Sequence, residues 1–143
     1  MFKSIVWASD GSGLAQKALP LVKELARADG AKITIVHVVE RVEGGGAVGL
    51  PRRADEAEVQ AQLREQAEAL EQEGFSASLE IRGDVGARPA HEIVTVARDA
   101  AADLIVAGSR GHTAIGGLLL GSVTNRLLHI SPCPVLVVPP DPR

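Results

Sequence analysis

Tyrosine is absent from this chain of 143 residues, and its aromatics amount to Phe2, Trp7 and Phe75. That scarcity argues against single-stranded nucleic-acid binding, which relies on aromatic platforms for stacked bases. Basic residues are also few, 15 against 18 acids, for a net charge of −3 and a pI near 5.8. No nucleic-acid or anionic-membrane footprint is expected from such a balance. One cysteine, Cys133, leaves no intrachain disulfide to form and suits a reducing, cytoplasmic compartment. Long apolar runs are missing too. "MFKSIVWASD" reaches an acid after a short apolar stretch, so it reads as neither a signal peptide nor a membrane span.

What the chain does have is aliphatic residues, for an apolar fraction of 45%. Its length fits a single domain over residues 1–143, which buries roughly 70% of the surface of its unfolded form. "FKSIVWAS" reads as a buried strand, rich in β-branched residues and without helical period. Leu14, Ala18, Leu21 and Leu25 then follow a helical stripe, with Ser12 as its cap, Pro20 as a bend inside it and Gly30 as its end. "AKITIVHVV" is a second strand. A second helix spans 54–73, with Val59, Leu63, Ala67 and Leu70 on one face, and Gly74 stops it. "SASLEIR" alternates as an edge strand should. Pro89 opens a third helix with Ile93, Val94 and Ala97 inward; "DLIVAG" is a fourth strand, 123–130 a short helix and "PVLVV" a fifth strand.

Strands alternating with helices predict an α/β fold, a single open parallel five-stranded sheet with helices on both faces. At this length the expected strand order is 3-2-1-4-5. The first and fourth strands are then neighbours whose connections leave in opposite directions, opening a crevice at their C-terminal ends where ligands bind. The first strand delivers "ASDGSG" to that crevice and the fourth delivers "AGSRGHTAIGGLLLGS". Gly108, Gly111 and Gly121 let a ligand approach the main chain with no Cβ in the way. The following helix N-terminus, with the Ser122 and Thr124 hydroxyls, makes a concave anion site suited to phosphate.

G-x2-G-x9-G-[S/T], met at Gly108, Gly111, Gly121 and Ser122, resembles the nucleotide-binding signature of the universal stress protein family. "KSIVWASDGS", "VHVV", "GDVGARPAHEIVTVARDAAADLIVAGSRG" and "SPCPVLVV" extend the resemblance over essentially the whole chain. It implies the adenine nucleotide alpha hydrolase-like arrangement and ATP in the crevice. Carried over, it implies that Ala8, Ser9 and Asp10 meet the adenosine portion and that the Val38 main chain contacts the adenine edge. Ala107 and Gly108 line the ribose side, while Gly111, Gly121, Ser122, Val123 and Thr124 hold the phosphates. Arg110 adds a charge near them. The family's ATP-binding branch keeps the glycines, as this chain does. The resemblance also implies a stress-response role and a homodimer through the fifth strand, Val135–Val138. That strand is an edge and carries no charge to protect it.

Taken singly, Asp10 is a ribose or base ligand or a water-mediated Mg²⁺ contact, against an acid in a helix-capping turn. His37, flanked by Val36 and Val38, reads as a core histidine bonded to a neighbour. His91, His112 and His129 lack metal-ligand spacing, so no metal site is expected. Cys133 reads as a small buried residue. "VEGGGAVGLPRR" reads by composition as a segment lying in solvent rather than a lid over the nucleotide.

A slow ATPase or phosphotransferase is the competing function. Against it, there is no G-x4-G-K-[ST] loop, no lysine in the glycine stretch and no base that the sequence picks out. "GSGLAQ" begins like a dinucleotide fingerprint but ends on Gln16, and Asp10 is ill placed for a pyrophosphate. A phosphorylated receiver needs an acidic pair after the first strand, where only Asp10 is supplied, an acceptor Asp ending the third, and a lysine after the fifth, where Pro139 follows.

Overall fold

The computed structural model describes residues 1–109 and 120–140. Five strands, β1 (Ser4–Ala8), β2 (Lys32–Val38), β3 (Ala77–Arg82), β4 (Leu104–Gly108) and β5 (Val135–Val138), form one sheet in the order β3-β2-β1-β4-β5. All four pairings are parallel. This is the single-domain α/β architecture expected from the periodicity.

The central strands are apolar without interruption because both faces are covered. In β1, Ile5 and Trp7 point into one core with Val22, Ile33, Ile35, Leu63 and Leu70; Val6 points into the other with Val36, Ile93, Ala97, Ile105 and Leu127. The first core lies beneath α1 (Gly13–Lys17), α2 (Leu19–Asp29) and α3 (Glu56–Gln72), the second beneath α4 (Pro89–Asp99) and α5 (Ser122–Ile130). Trp7 is fully buried and its indole N–H finds the Ala15 carbonyl at 3.2 Å, as a buried tryptophan requires.

The first helix departs from expectation. It is two helices meeting at Ala18, rather than one helix bent at Pro20. Proline sits in the first turn of α2, where a helix has no use for its N–H, so the ring starts a helix instead of kinking one. Ser12 caps α1 by accepting from the Ala15 N–H, and Gly30, left-handed at φ 65°, ends α2.

The glycine-rich segment after β2 also differs from its composition. Arg41 and Pro51 form an antiparallel bridge, Val42 and Leu50 are hydrogen-bonded, and Gly45–Ala47 make a single 3-10 turn. Arg41 Nε donates to the Gly83 carbonyl at 2.7 Å and Arg41 Nη1 to that of Gly49 at 2.9 Å. Side-chain donors on these two carbonyls join the main-chain bonds in folding the segment into a small hairpin, which glycine content alone does not foretell.

Candidate functional site

The β1 and β4 chains leave the sheet on opposite faces, to α1 and to α5, so the crevice lies where topology demands. Its first wall is the turn after β1. Ser9 is buried, its N–H bonded to the Val36 carbonyl at 3.0 Å, and its hydroxyl accepts from the Gly11 N–H at 3.2 Å. Asp10 Oδ1 accepts from the Ser12 N–H at 2.9 Å. Asp10 therefore does hold a turn at the helix cap, as one of its two readings has it, and its carboxylate remains an acceptor-only group at the crevice.

Val38 forms the edge beside this turn. It is opposite Arg82 in β3, but β1 ends at Ala8, opposite Val36, so Val38 extends beyond the last β1 residue. The Val39 N–H goes to the Arg82 carbonyl, which directs residue 39 to β3 and the main-chain groups of Val38 to the other side. One donor and one acceptor from a single residue thus face the crevice.

The second wall joins β4 to α5. Ala107 and Gly108 end the strand, both buried. The Gly121 N–H bonds to the Ser109 carbonyl at 2.6 Å, and Thr124 Oγ1 donates to the Gly108 carbonyl at 2.7 Å. The first and last glycines of the motif are brought together by these two bonds. Arg110 and Gly111 lie outside the described residues. Gly121 is the N-cap of α5 and supplies no side-chain cap; the first intrahelical bond is Asn125 N–H to the Gly121 carbonyl at 2.9 Å. The N–H groups of Ser122, Val123 and Thr124 therefore lie outside the helix's own ladder, at its positive end. Thr124, 5% exposed, spends its hydroxyl proton on Gly108, so its offer to an anion is the main-chain N–H.

Two groups here, and the partner of a third, escaped the sequence reading. The Ser109 hydroxyl is buried and has no hydrogen-bond partner among the described residues, directly beside the motif. His37 is indeed a buried histidine, but its neighbour is an acid on another element: Nε2 lies 2.7 Å from Glu56 Oε2, while Nδ1 meets the Ser9 carbonyl at 3.1 Å. Arg53 Nη1 donates to the Asp10 carbonyl at 2.7 Å. Its pairing with Asp55, first among several causes, holds the Arg53 guanidinium above its ordinary value.

Among the described residues no cluster of three or more His, Cys, Asp or Glu could hold a metal ion, and no helix is long and apolar enough to cross a membrane. Burial pushes the Cys133 thiol up, away from the thiolate a redox role needs. The site offers hydrogen-bond donors and acceptors of fixed direction.

Comparison with known proteins places this geometry. Residues 1–139 match the family model described as the universal stress protein family. A universal stress protein of Thermus aquaticus is 39% identical over 143 residues, covering 96% of this chain and 99% of its own. The structure of MJ0577 from Methanocaldococcus jannaschii superposes with a TM-score of 0.74 at 30% identity, covering 100% of this chain and 99% of that one. A universal stress protein solved in complex with cAMP superposes with a TM-score of 0.66 at 30% identity, over 96% of both chains.

Proposed function

This chain belongs to the universal stress protein family, and from that premise we propose that it binds ATP in the β1/β4 crevice and acts as a small regulatory module of the stress response. The observation that carries the reading is the start of α5: a glycine N-cap, three main-chain donors outside the helix ladder, and beside them a buried Ser109 hydroxyl with no partner among the described residues. Such a helix end suits phosphate oxygens, which take both its dipole and its N–H groups. The cAMP-bound relative supports a nucleotide as guest.

In this reading the main-chain pair of Val38 meets the adenine edge, with Ala8 and Ser9 beneath the base. The Asp10 carboxylate accepts from ribose hydroxyls and reaches any Mg²⁺ through water. Ala107 and Gly108 line the ribose side. Gly111, Gly121, Ser122, Val123 and Thr124 donate to the phosphates, and Arg110 adds positive charge. Bound ATP supplies the signal by favouring one arrangement of these walls. The chain would act in the cytoplasm, with neither nucleic acid nor membrane as partner.

Calorimetry tests the ligand. Micromolar-range ATP binding is expected, and no heat at millimolar ATP refutes the proposal; cAMP run in parallel separates triphosphate from cyclic monophosphate. Asp10→Asn keeps the oxygen that accepts from Ser12 while removing the charge, so it should lower affinity and leave the apo melting temperature unchanged.

We further propose a homodimer through β5. Its inner edge bonds β4, where the Ile105 N–H takes the Pro134 carbonyl and the Ser109 N–H that of Val138. Alternation then turns the N–H and C=O of Val135 and Val137 outward. Sedimentation should give a dimer, and Val137→Pro, which removes an outward donor, should give monomer. A wild-type monomer at micromolar concentration overturns this.

A further inference from the structure

Two consecutive carbonyls of the β1–α1 turn are each held by a cationic or imidazole side chain that is itself anchored by a carboxylate. The Ser9 carbonyl receives His37 Nδ1, and Glu56 Oε2 holds the opposite ring nitrogen. The Asp10 carbonyl receives Arg53 Nη1, and Asp55 holds that guanidinium at Nε and Nη2, at 2.8 and 3.1 Å. The two anchoring acids are neighbours in sequence, at the entrance to α3.

A carbonyl only accepts, so Nδ1 carries a hydrogen and the ring orientation is fixed. The 2.7 Å contact between Nε2 and Glu56 Oε2 then requires a further proton between them, on the nitrogen or on the oxygen. Either placement leaves the pair neutral overall, as suits side chains that are 2% and 6% exposed. Gln60 Nε2 donates to the same Glu56 oxygen at 3.0 Å. Glu56 Oε1 is buried with no hydrogen-bond partner among the described residues, so removing His37 would leave a second Glu56 oxygen short of a donor.

We infer that His37 and Arg53 are positioning residues, which, with Glu56 and Asp55 behind them, set the turn at Ser9 and Asp10 for the ligand. The inference rests on the nucleotide reading for the identity of that ligand. It also gives the hairpin after β2 a role. Arg53 closes the hairpin on the Asp10 side, as Arg41 does on Gly83, so the hairpin's base spans two turns at the sheet's C-terminal edge. A ligand that needs the turn in this form stabilises the hairpin, and loosening the hairpin weakens the ligand by the same factor.

The test pairs hydrogen exchange on the ligand-free protein with ATP calorimetry. Arg53→Gln should speed exchange at the Gly11 and Ser12 amides, leave the amides of β4 and α4 unchanged, and weaken ATP by about tenfold, the order of one charge-assisted hydrogen bond. Glu56→Leu should act alike at the same amides. Glu56→Gln, whose amide can still meet Nε2, should restore both properties, which a merely space-filling role for Glu56 does not predict. If Arg53→Gln fails to fold, Arg53→Lys keeps one donor without the two-pronged grip on Asp55 and should shift both readings in the same direction by less. Unchanged exchange at Gly11 and Ser12 in the Arg53 and Glu56→Leu variants overturns the inference, as does unchanged ATP affinity in those variants when the wild type binds ATP. If wild type takes up no ATP, the nucleotide reading falls, and the exchange measurement alone decides the positioning role.

Discussion

In the turn after β1, Ser9 Oγ, Asp10 Oδ1 and Ser12 Oγ each accept a main-chain N–H within three residues, whereas across the crevice α5 begins with no side-chain cap. Side chains finish the first wall from within. Among the described residues, two bonds join the second wall, from Thr124 and Gly121 to Gly108 and Ser109. Donors left over at α5 are what an anion can use, and acceptors fixed at Asp10 are what hydroxyls can use. The contrast assigns polarity: an anion suits the wall that lacks caps, and in the proposed reading the Asp10 carboxylate on the capped wall takes the ribose hydroxyls.

Glycine substitutions break that contrast most directly. Gly121 has φ −73° and ψ 163°, a conformation open to any residue, so Gly121→Ala should cost the apo protein no more than the ~0.5–1 kcal/mol by which alanine is the poorer N-cap. A methyl group among the α5 donors should instead cost ATP binding about 100-fold, the equivalent of two lost charge-assisted hydrogen bonds. Titration calorimetry beside thermal melting checks both halves. Gly11→Ala, on the opposite wall, should do the reverse. Gly11 sits at φ 77°, and a Cβ there would lie 3.0 Å from Val59 Cγ1. Left-handed backbone costs an alanine about 1–2 kcal/mol, and the melting temperature should fall by about 5 °C. If Gly121→Ala melts earlier than Gly11→Ala, or Gly121→Ala binds ATP as wild type does, the division of labour between the walls is wrong.

Much of this was legible in the chain itself. The strands, their order and the crevice follow from apolar runs and helical stripes, because burial on two faces leaves a parallel strand no other pattern. The position of the glycine motif at the start of α5 follows too. What the sequence hid were pairings between distant residues. Glu56 stands three and seven residues before Val59 and Leu63, on the apolar stripe of α3, and all three are buried. An acid on a buried stripe demands a partner, and His37, flanked by valines on a strand, demands one as well; reading each against the other would have found the pair. Arg53 carried no such signal. "PRRADE" is an ordinary charged entry to a helix, and only the folded hairpin shows which arginine turns inward. Pro20 misled for a different reason: a proline seven residues after a helix begins at Gly13 reads as a kink or as a new beginning, and Ala18 decides between them only in three dimensions.

A smaller effect probes the second wall without touching its donors. Thr124→Val keeps the shape of the side chain and removes the hydroxyl that donates to the Gly108 carbonyl. That carbonyl is then left short of a partner in a buried setting, at a cost of about 1 kcal/mol to stability. Because the main-chain N–H of residue 124 is unaltered, ATP affinity should change little. A large loss of affinity at unchanged stability would mean that the hydroxyl, not the N–H, serves the ligand.

The smallest effect belongs to the far end of the same two strands. Asp103 accepts from the Lys3 and Ser4 N–H groups at 2.8 and 3.1 Å, joining the start of β1 to the start of β4 away from the crevice. Desolvation pushes this carboxyl up, but the main-chain donors of Lys3 and Ser4 outweigh it, and its folded value lies below the ordinary one. A depressed carboxyl contributes stability above its unfolded value, and that contribution is lost as pH falls through the folded one. Wild type should therefore lose stability in the acid range partly through Asp103, and Asp103→Asn should flatten that limb of the curve while leaving the neutral-pH ATP affinity untouched. Melting curves from neutral to acid pH, run on both proteins, check the slope. An affinity change in Asp103→Asn would show that the crevice feels the opposite edge of the sheet, and that its two walls are not the independent units their hydrogen bonds describe.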